Sequence, residues 1–234
     1  MPQELHVSVN RSNTIDNQLL LRLSPTARDR IGAQSDCMEL LAGTVLYESG
    51  HTIAHAYFPL SAVICLMATL PDHHPLEMSL VGNEGMLGAS LVLGVSTAPM
   101  QASVHSSGSC LRMSRVQLQA ALIEIPELRT TLSHYLHLQV MQLAQSAACI
   151  HFHDIEQRLA RWLLMTHDRI HCDHFHFTHE CLANMLGVRR SGVTLAAGLL
   201  QHQGLIQYTR GEITIVNRKG LEAVSCLCYS ASSV

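Results

Sequence analysis

Two adjacent arginines, Arg189 and Arg190, stand just before a run of apolar residues spaced as in an amphipathic helix. The planar guanidinium of arginine carries five donors, which match a phosphate or the O6 and N7 atoms of guanine in pairs. Ser191 and Thr194 follow within one helical turn, and their hydroxyls can bind either a base or a phosphate. The stretch therefore predicts polar recognition at the start of a helix.

The sequence around these residues has the pattern of two short helices followed by a β-hairpin. Thr178 is a suitable N-cap for the first helix, and Gly187 is suited to end it. After the second helix, LIQYTRGEITIV alternates around Arg210 and Gly211 as two strands. Together they predict a winged helix-turn-helix, whose second helix enters the major groove of double-stranded DNA. The spacing of that second helix places Val193, Ala196, Ala197 and Leu200 on one apolar face.

Positive charge is concentrated in the same part of the chain. Residues 166–220 contain six basic and four acidic residues, whereas the whole chain has a formal net charge of −3. A local basic region is the electrostatic footprint of a nucleic-acid contact. An ordinary two-helix corner with solvated arginines is the alternative, which the predicted hairpin and the charge asymmetry make less favoured. Arg210, Arg218 and Lys219 are expected to contact phosphates. The full set predicted to contact DNA is Thr178, Arg189, Arg190, Ser191, Thr194, Arg210, Arg218 and Lys219.

The chain before this module predicts a β domain preceded by two short helices. Ser24 and Pro25 form a helix-start signal within residues 14–41. From Gly43, the segments TVLYESG, AYFPLSAVICLMATLP, PLEMSLVG and MQASVHSSGSCLRMS have the spacing of an antiparallel sandwich or barrel. Between them, the glycines of VGNEGMLGASLVLG predict a tight turn and a short helix against a ligand or another backbone.

After Pro126, the chain continues to Phe152 without glycine or proline, which predicts one long helix. A second helix is expected to begin at Asp154. Within the long helix, apolar residues alternate at spacings of four and three, as in the seam of a two-stranded coiled coil. We expect this seam to pair with a second copy, and packing on the helix's own domain is the alternative. The seam consists of Leu136, Val140, Leu143, Ala147 and Ile150.

Three features follow one another along the chain: a β domain with YFPLSAV and VGNEGMLG, a long helix, and HECLANMLGVRRSGVTLAAGLLQHQGLIQYTRGEITIV. In this order they resemble the CRP/FNR superfamily of bacterial transcription regulators. The resemblance covers residues 14–225. It implies an α+β fold with a jelly-roll sensor domain (14–125), a dimerisation helix (126–153) and a winged helix (154–225). It also implies a palindromic site on double-stranded DNA, a homodimer and RNA polymerase as a further partner. Two recognition helices would then lie roughly 34 Å apart.

Two departures from the family pattern limit what can be carried over. Where relatives place Glu and Arg in the recognition helix, this chain has Ser191 and Leu195, so readout is expected to fall to Arg189, Arg190 and Thr194. Members that bind cyclic AMP carry an arginine pair for its phosphate, which here aligns near Met100 and Gln101. No arginine lies between Arg30 and Arg112, so we expect an effector other than cyclic AMP, or a scaffold without one. The candidate effector residues are Gly82, Glu84, Gly85, Met100 and Gln101.

Metal, haem or redox sensing is the main alternative, because the chain has 16 histidines and eight cysteines. His179 and Glu180 begin an HExxH pattern, but Ala183 ends it, which excludes a metalloprotease helix. Cys226 and Cys228 are interpreted as isolated residues that pack, so no cofactor is assigned. The histidines of HDRIHCDHFHFTHEC are expected on surface loops. A cupin-like metal enzyme is the less favoured alternative, with His51, His55, His73 or His74 as ligands; we expect no enzyme.

Composition agrees with a folded protein, with 47% hydrophobic and 14% charged residues. The first residues lack the apolar stretch and cleavage site of a signal peptide, and no apolar run reaches the roughly 20 residues of a membrane span. We therefore expect a cytoplasmic protein without a membrane partner.

Overall fold

A computed structural model describes residues 15–69, 75–170 and 172–229. These described residues divide into two compact units, which meet along the sequence after Ile64, Leu80 and Leu136, so that 81–136 belongs to the first unit and 137–229 to the second. His73, His74 and His171, which the sequence offered as metal ligands or surface histidines, lie outside the described residues. No helix in the described ranges has the length and apolar character needed to cross a bilayer.

In the residues that the structure describes, seven strands precede the long helix. They lie in two sheets, with the orders β1-β7-β3 and β2-β6-β4-β5. Strands β1 and β3 each pair with β7 in antiparallel fashion, which places Tyr57 opposite Arg112. Phe58 and Met113 are fully buried on these strands. The strands are β1 (Asp36–Leu40), β2 (Val45–Tyr47), β3 (His55–Pro59), β4 (Val63–Ala68), β5 (Leu76–Val81), β6 (Gln101–Ser106) and β7 (Gly108–Ser114).

The glycine-rich segment forms the predicted turn and short helix. A 3-10 helix spans Ala89–Leu93, and Gly88 and Gly94 on either side have φ of +91° and +78°, where glycine is favoured. Gly85 has a different reason to be glycine, because a Cβ there would lie 2.3 Å from the hydroxyl of Tyr135. At Gly85 the close neighbour is therefore a side chain, and not the ligand or second backbone that the sequence predicted.

Four helices flank these strands in the sequence. Ser24 caps α2 with Pro25 as its first residue, as predicted. Helix α3 was not predicted, although Ser114 and Gln117 form a complete capping box at its start. Helix α4 is the expected long helix, and it runs from the first unit into the second. Their bounds are α1 (Gln18–Leu21), α2 (Pro25–Ala33), α3 (Arg115–Glu124) and α4 (Pro126–Phe152).

The C-terminal module contains four more helices and a three-stranded sheet of order β8-β10-β9. Its core joins Trp162 and Leu163 to Phe175, Leu200 and Ile213, all of them buried. The α+β fold, with a β domain followed by a helix-turn-helix, is confirmed. The elements are α5 (Ile155–Ile170), β8 (His174–His176), α6 (His179–Leu186), α7 (Arg190–His202), β9 (Ile206–Thr209), β10 (Glu212–Ile215) and α8 (Arg218–Val224).

A buried carboxyl group is part of the second unit. Trp162 Nε1 donates to Glu77 Oε1 at 2.7 Å, and the Cys65 thiol donates to Glu77 Oε2 at 3.3 Å. Burial raises the pKa of Glu77 to about 7, and the two hydrogen bonds offset only part of that effect. The ionised form of this group is therefore costly to the fold.

Candidate nucleic-acid interface

Helices α6 and α7 meet through a turn with defined caps. The Thr178 hydroxyl accepts from Cys181 N at 3.1 Å and caps α6, while Gly187 ends it with φ of +62°. Arg189 occupies the N-cap position of α7 with extended backbone angles and without a capping side-chain hydrogen bond. The predicted apolar face of α7 is buried, so the opposite face is presented outward. That buried face is Val193, Ala196, Ala197 and Leu200.

The outward face begins with the two arginines. Arg189, Arg190 and Ser191 are exposed in the first turn of α7. Leu195, one turn further along, is 67% exposed on the same side of the helix as Ser191. The backbone N–H groups at a helix start attract anions, and two arginines add full positive charges at the same point. This end of α7 can therefore bind an anionic surface and also contact apolar groups.

The hydroxyl of Thr194 makes hydrogen bonds within the described part of the chain, unlike the side chains of Arg189 and Arg190. Its Oγ1 lies 2.9 Å from His179 Nδ1 and donates to Arg190 O at 3.1 Å. The His179 ring stacks on Tyr208 with 4.3 Å between centroids and an angle of 16°. Burial, with a smaller effect from the charge of Arg190, lowers the pKa of His179, so its ring is neutral at pH 7. Thr194 thus joins α7 to α6 and, through His179, to β9.

The wing ends in a two-residue turn between β9 and β10. Arg210 and Gly211 have φ of +53° and +93°, and two consecutive positive φ values are typical of the type I′ turn that suits a tight hairpin. Arginine rarely adopts this conformation, whereas glycine and asparagine do so readily. The turn places an exposed positive charge at the tip of the predicted hairpin.

Arg218 lies in an intramolecular network. Its guanidinium contacts Asp168 Oδ1 at 2.7 Å and Glu222 Oε1 at 3.0 Å, and donates to Tyr229 Oη at 2.8 Å. It also donates to His167 Nδ1 at 2.5 Å. The side chain of Arg218, which the sequence predicted to contact a phosphate, is therefore hydrogen-bonded within the protein. Its neighbour Lys219 is exposed.

Two histidines predicted on surface loops lie instead on strand β8. His174 Nε2 is 2.7 Å from Glu212 Oε2, and His176 Nδ1 is 2.6 Å from Glu212 Oε1. Hydrogen bonding to His176 lowers the pKa of Glu212. Strand β8 was not predicted, and both histidines are exposed along it.

The candidate effector residues occupy two places in the first unit. Gly82 N donates to Glu84 Oε1 at 3.2 Å, so the Glu84 side chain closes its own turn. Asn17 Nδ2 donates to Gly85 O at 2.9 Å. Met100 and Gln101 lie at the start of β6, where Gln101 Nε2 donates to Glu48 Oε2 at 3.0 Å.

The predicted dimerisation seam lies along α4. Val140 and Ile150 are 61% and 47% exposed in the single chain, and Ala147 is exposed beside them. Leu136 and Leu143 are half-buried.

The structure also brings together four residues that the sequence analysis kept apart. Cys149 and His153, one turn apart on or just after α4, meet Cys226 and Cys228, which follow α8. The interpretation of Cys226 and Cys228 as isolated residues is therefore wrong, because their partners are distant in sequence. The spacings Cys-x3-His and Cys-x-Cys were the available signals, but neither is specific alone.

Comparison with known proteins identifies the module and the fold. The family model of the Crp-like helix-turn-helix domain matches residues 157–224. A putative CRP/FNR family transcriptional regulator from Eubacterium rectale is 16% identical, with a TM-score of 0.69 over 88% of this chain and 96% of its own. FixK2 from Bradyrhizobium japonicum is 14% identical, with a TM-score of 0.70 over 82% and 98% of the two chains.

A CRP/FNR family transcriptional regulator from Thermus thermophilus is 22% identical, with a TM-score of 0.68 over 81% of this chain and 98% of its own. No curated protein sequence matches the chain. The resemblance inferred from the sequence motifs is thus confirmed for residues 157–224, and for the rest of the chain these structures show a similar fold. Residues 157–224 match the Crp-like helix-turn-helix domain, and the fold of the chain is similar to that of solved CRP/FNR family regulators.

Proposed function

We propose that this protein is a cytoplasmic, homodimeric transcription regulator that binds a two-fold symmetric DNA site. The observation that carries the proposal is the exposed start of α7, with Arg189 and Arg190 on a Crp-like helix-turn-helix domain. The activity is binding rather than catalysis, and its immediate partner is double-stranded DNA. Contact with RNA polymerase would follow from binding at a promoter.

The proposed readout uses the first two turns of α7 in the major groove. Arg190 is assigned to a guanine, because a guanidinium can donate to O6 and N7 together. Leu195 is assigned to the methyl group of a thymine, since its exposed apolar side chain lies on the same outward face. Thr194 is assigned to positioning through His179 rather than to base contact.

Phosphate contacts are assigned to charged groups around this face. Arg189 lies at the helix start, Arg210 at the tip of the wing and Lys219 at the start of α8, and all three are exposed. Arg218 is left out because its donors already have protein partners. Phosphate contacts fix orientation on DNA without reading its sequence.

Dimerisation is assigned to α4. An apolar stripe with Val140 61% and Ile150 47% exposed is costly on a lone helix, and a second copy of the same helix would cover it. The two copies would present their α7 helices to successive major grooves, roughly 34 Å apart.

The β domain is assigned to sensing a small molecule other than cyclic AMP. A buried cyclic phosphate needs a charge partner, and no arginine lies between Arg30 and Arg112. Gly82, Glu84, Gly85, Met100 and Gln101 remain the candidate effector residues.

The test is selection from a genomic DNA library by the purified full-length protein at near-physiological salt, because nonspecific binding depends strongly on salt. We expect enrichment of a two-fold symmetric site by the wild type. The Arg189→Ala, Arg190→Ala double variant should enrich none. Enrichment of an asymmetric single half-site would contradict the dimer, and equal selection by both proteins would contradict the assigned interface.

A further inference from the structure

Three thiols and one imidazole converge in the second unit. Their ligand atoms, one from each of Cys149, His153, Cys226 and Cys228, all lie within 4.8 Å of one another. Cys149 Sγ is 3.5 Å from Cys226 Sγ, and Cys228 Sγ is 3.5 Å from His153 Nδ1. The three cysteines are almost fully buried, between 2% and 4% exposed. The group therefore surrounds a single point that solvent hardly reaches.

We propose that Cys149, His153, Cys226 and Cys228 form a structural zinc site. Three cysteines and one histidine are a typical closed donor set for tetrahedral Zn²⁺. With Zn–S bonds of about 2.3 Å, the sulfurs of such a site lie about 3.8 Å apart. The donor atoms need to move by only about an ångström from their positions here to reach that geometry.

Two other outcomes for these cysteines fit the geometry less well. An iron–sulfur cluster places several atoms between its cysteine ligands, whereas these four donors enclose room for one ion. A disulfide requires sulfurs about 2.05 Å apart, and Cys149 and Cys226 are 3.5 Å apart as thiols. A disulfide would also leave Cys228 and His153 without a shared role.

The surroundings are suited to a bound ion with thiolate ligands. Gln145 Nε2 donates to Cys228 Sγ at 2.8 Å, as outer-shell groups commonly do at zinc sites. Zn²⁺ with three thiolates carries one net negative charge, and three thiol protons leave when the ion binds. The guanidinium of Arg158 is buried nearby and interacts electrostatically with Cys149 and Cys226, which offsets that charge.

The site would join two elements that the covalent chain keeps far apart. Cys149 and Cys226 are 77 residues apart, one near the end of α4 and the other just after α8. Zinc would hold the segment after the winged helix against the helix assigned to dimerisation. This role does not depend on which DNA sequence is bound.

The first experiment measures metal in the reduced, full-length protein, purified without a histidine tag. After removal of metal by a chelator, we expect uptake of one Zn²⁺ per chain by elemental analysis, with an increase in Tm. Co²⁺ in place of Zn²⁺ should give the visible bands of a tetrahedral site and thiolate-to-metal charge-transfer absorption. Absence of stoichiometric uptake, or a Cys149–Cys226 disulfide in protein kept under reductant, would overturn the proposal.

Variants separate this cluster from the other histidines and cysteines. Cys226→Ala with Cys228→Ala should abolish uptake. His153 is half-exposed, and His153→Ala leaves the three thiols in place. Loss of a residue that only contacts a metal ligand typically weakens metal binding by roughly 10–100-fold, and His153→Ala should weaken Co²⁺ binding by more than that. Circular dichroism would check that each variant folds.

The matched controls are Cys172→Ala, at an exposed cysteine, and His174→Ala with His176→Ala on β8. Both should keep one tightly bound ion and the cobalt spectrum. Loss of the ion in the controls, or its retention in the double cysteine variant, would place the metal elsewhere and overturn the proposal.

Discussion

At the scale of single residues, Arg190 is central to the proposed readout. We expect Arg190→Ala to weaken binding to the selected site by about 1–3 kcal/mol and to relax the preference at one base pair. The matched control is Arg22→Ala, at an exposed arginine in the first unit. Fluorescence anisotropy with the selected and single-substituted sites measures both effects. An equal loss on every sequence would make Arg190 a phosphate contact instead.

Arg210 allows charge and turn geometry to be separated. Asparagine tolerates positive φ better than arginine, so Arg210→Asn should keep the hairpin and the Tm. If Arg210 binds a phosphate, affinity should fall for all DNA sequences. The slope of log affinity against log salt concentration should decrease by about one. An unchanged slope would argue against the wing contact.

Glu77 should make stability depend on pH. Its pKa is about 7 in the folded protein and 4.5 in the unfolded chain, so the folded state binds the proton more tightly. The stabilisation is complete below pH 4.5 and is lost as the pH rises through 7. Glu77→Gln removes this loss, because glutamine does not titrate. The free energy of unfolding of the variant, relative to that of the wild type, should therefore rise by on the order of 3 kcal/mol between pH 5 and pH 8. Urea unfolding of both proteins at pH 5 and pH 8 measures this change. If the difference between their unfolding free energies is the same at both pH values, Glu77 titrates normally.

At the scale of elements, α4 carries the assignment of oligomeric state. We expect Val140→Glu with Ile150→Glu to convert a dimer into monomers, because two charges would face the apolar seam. Affinity for the symmetric site should then fall on the order of 100-fold, since the two half-sites are no longer bound together. Sedimentation velocity measures the first effect and anisotropy the second. Val116→Glu, at a valine on α3 that is 70% exposed, should change neither. A dimeric double variant would place the interface elsewhere.

The elements that the sequence predicts well are those with local signals. Thr178, Gly187 and the apolar face of α7 specify the helix-turn-helix within a short stretch, and each appears where expected. Strand β8 was missed because its three residues become a strand through pairing with β10, almost 40 residues later. Helix α3 was missed despite a local signal, since the capping box at Ser114 directly follows a strand pattern.

At the scale of the whole molecule, charge is divided unevenly along the sequence. Residues 166–220 carry a net charge of +2, so the remainder carries −5. This division should limit nonspecific adhesion to DNA while leaving the helix-turn-helix attractive to it. The cluster of Cys149, His153, Cys226 and Cys228 could not be found from the sequence, because Cys149 and Cys226 are 77 residues apart and come together only in the folded second unit.

The stacked pair of His179 and Tyr208, with Thr194 bound to the histidine, has a consequence for how such a protein can change its target. Thr194 cannot vary freely, since a substitution that removes its hydroxyl also disturbs the junction of α6, α7 and the wing. In the part of the chain that the structure describes, the exposed side chains of Arg190, Ser191 and Leu195 make no comparable hydrogen bond to α6 or the wing. New operators should therefore evolve, or be engineered, through these three positions while Thr194 stays fixed.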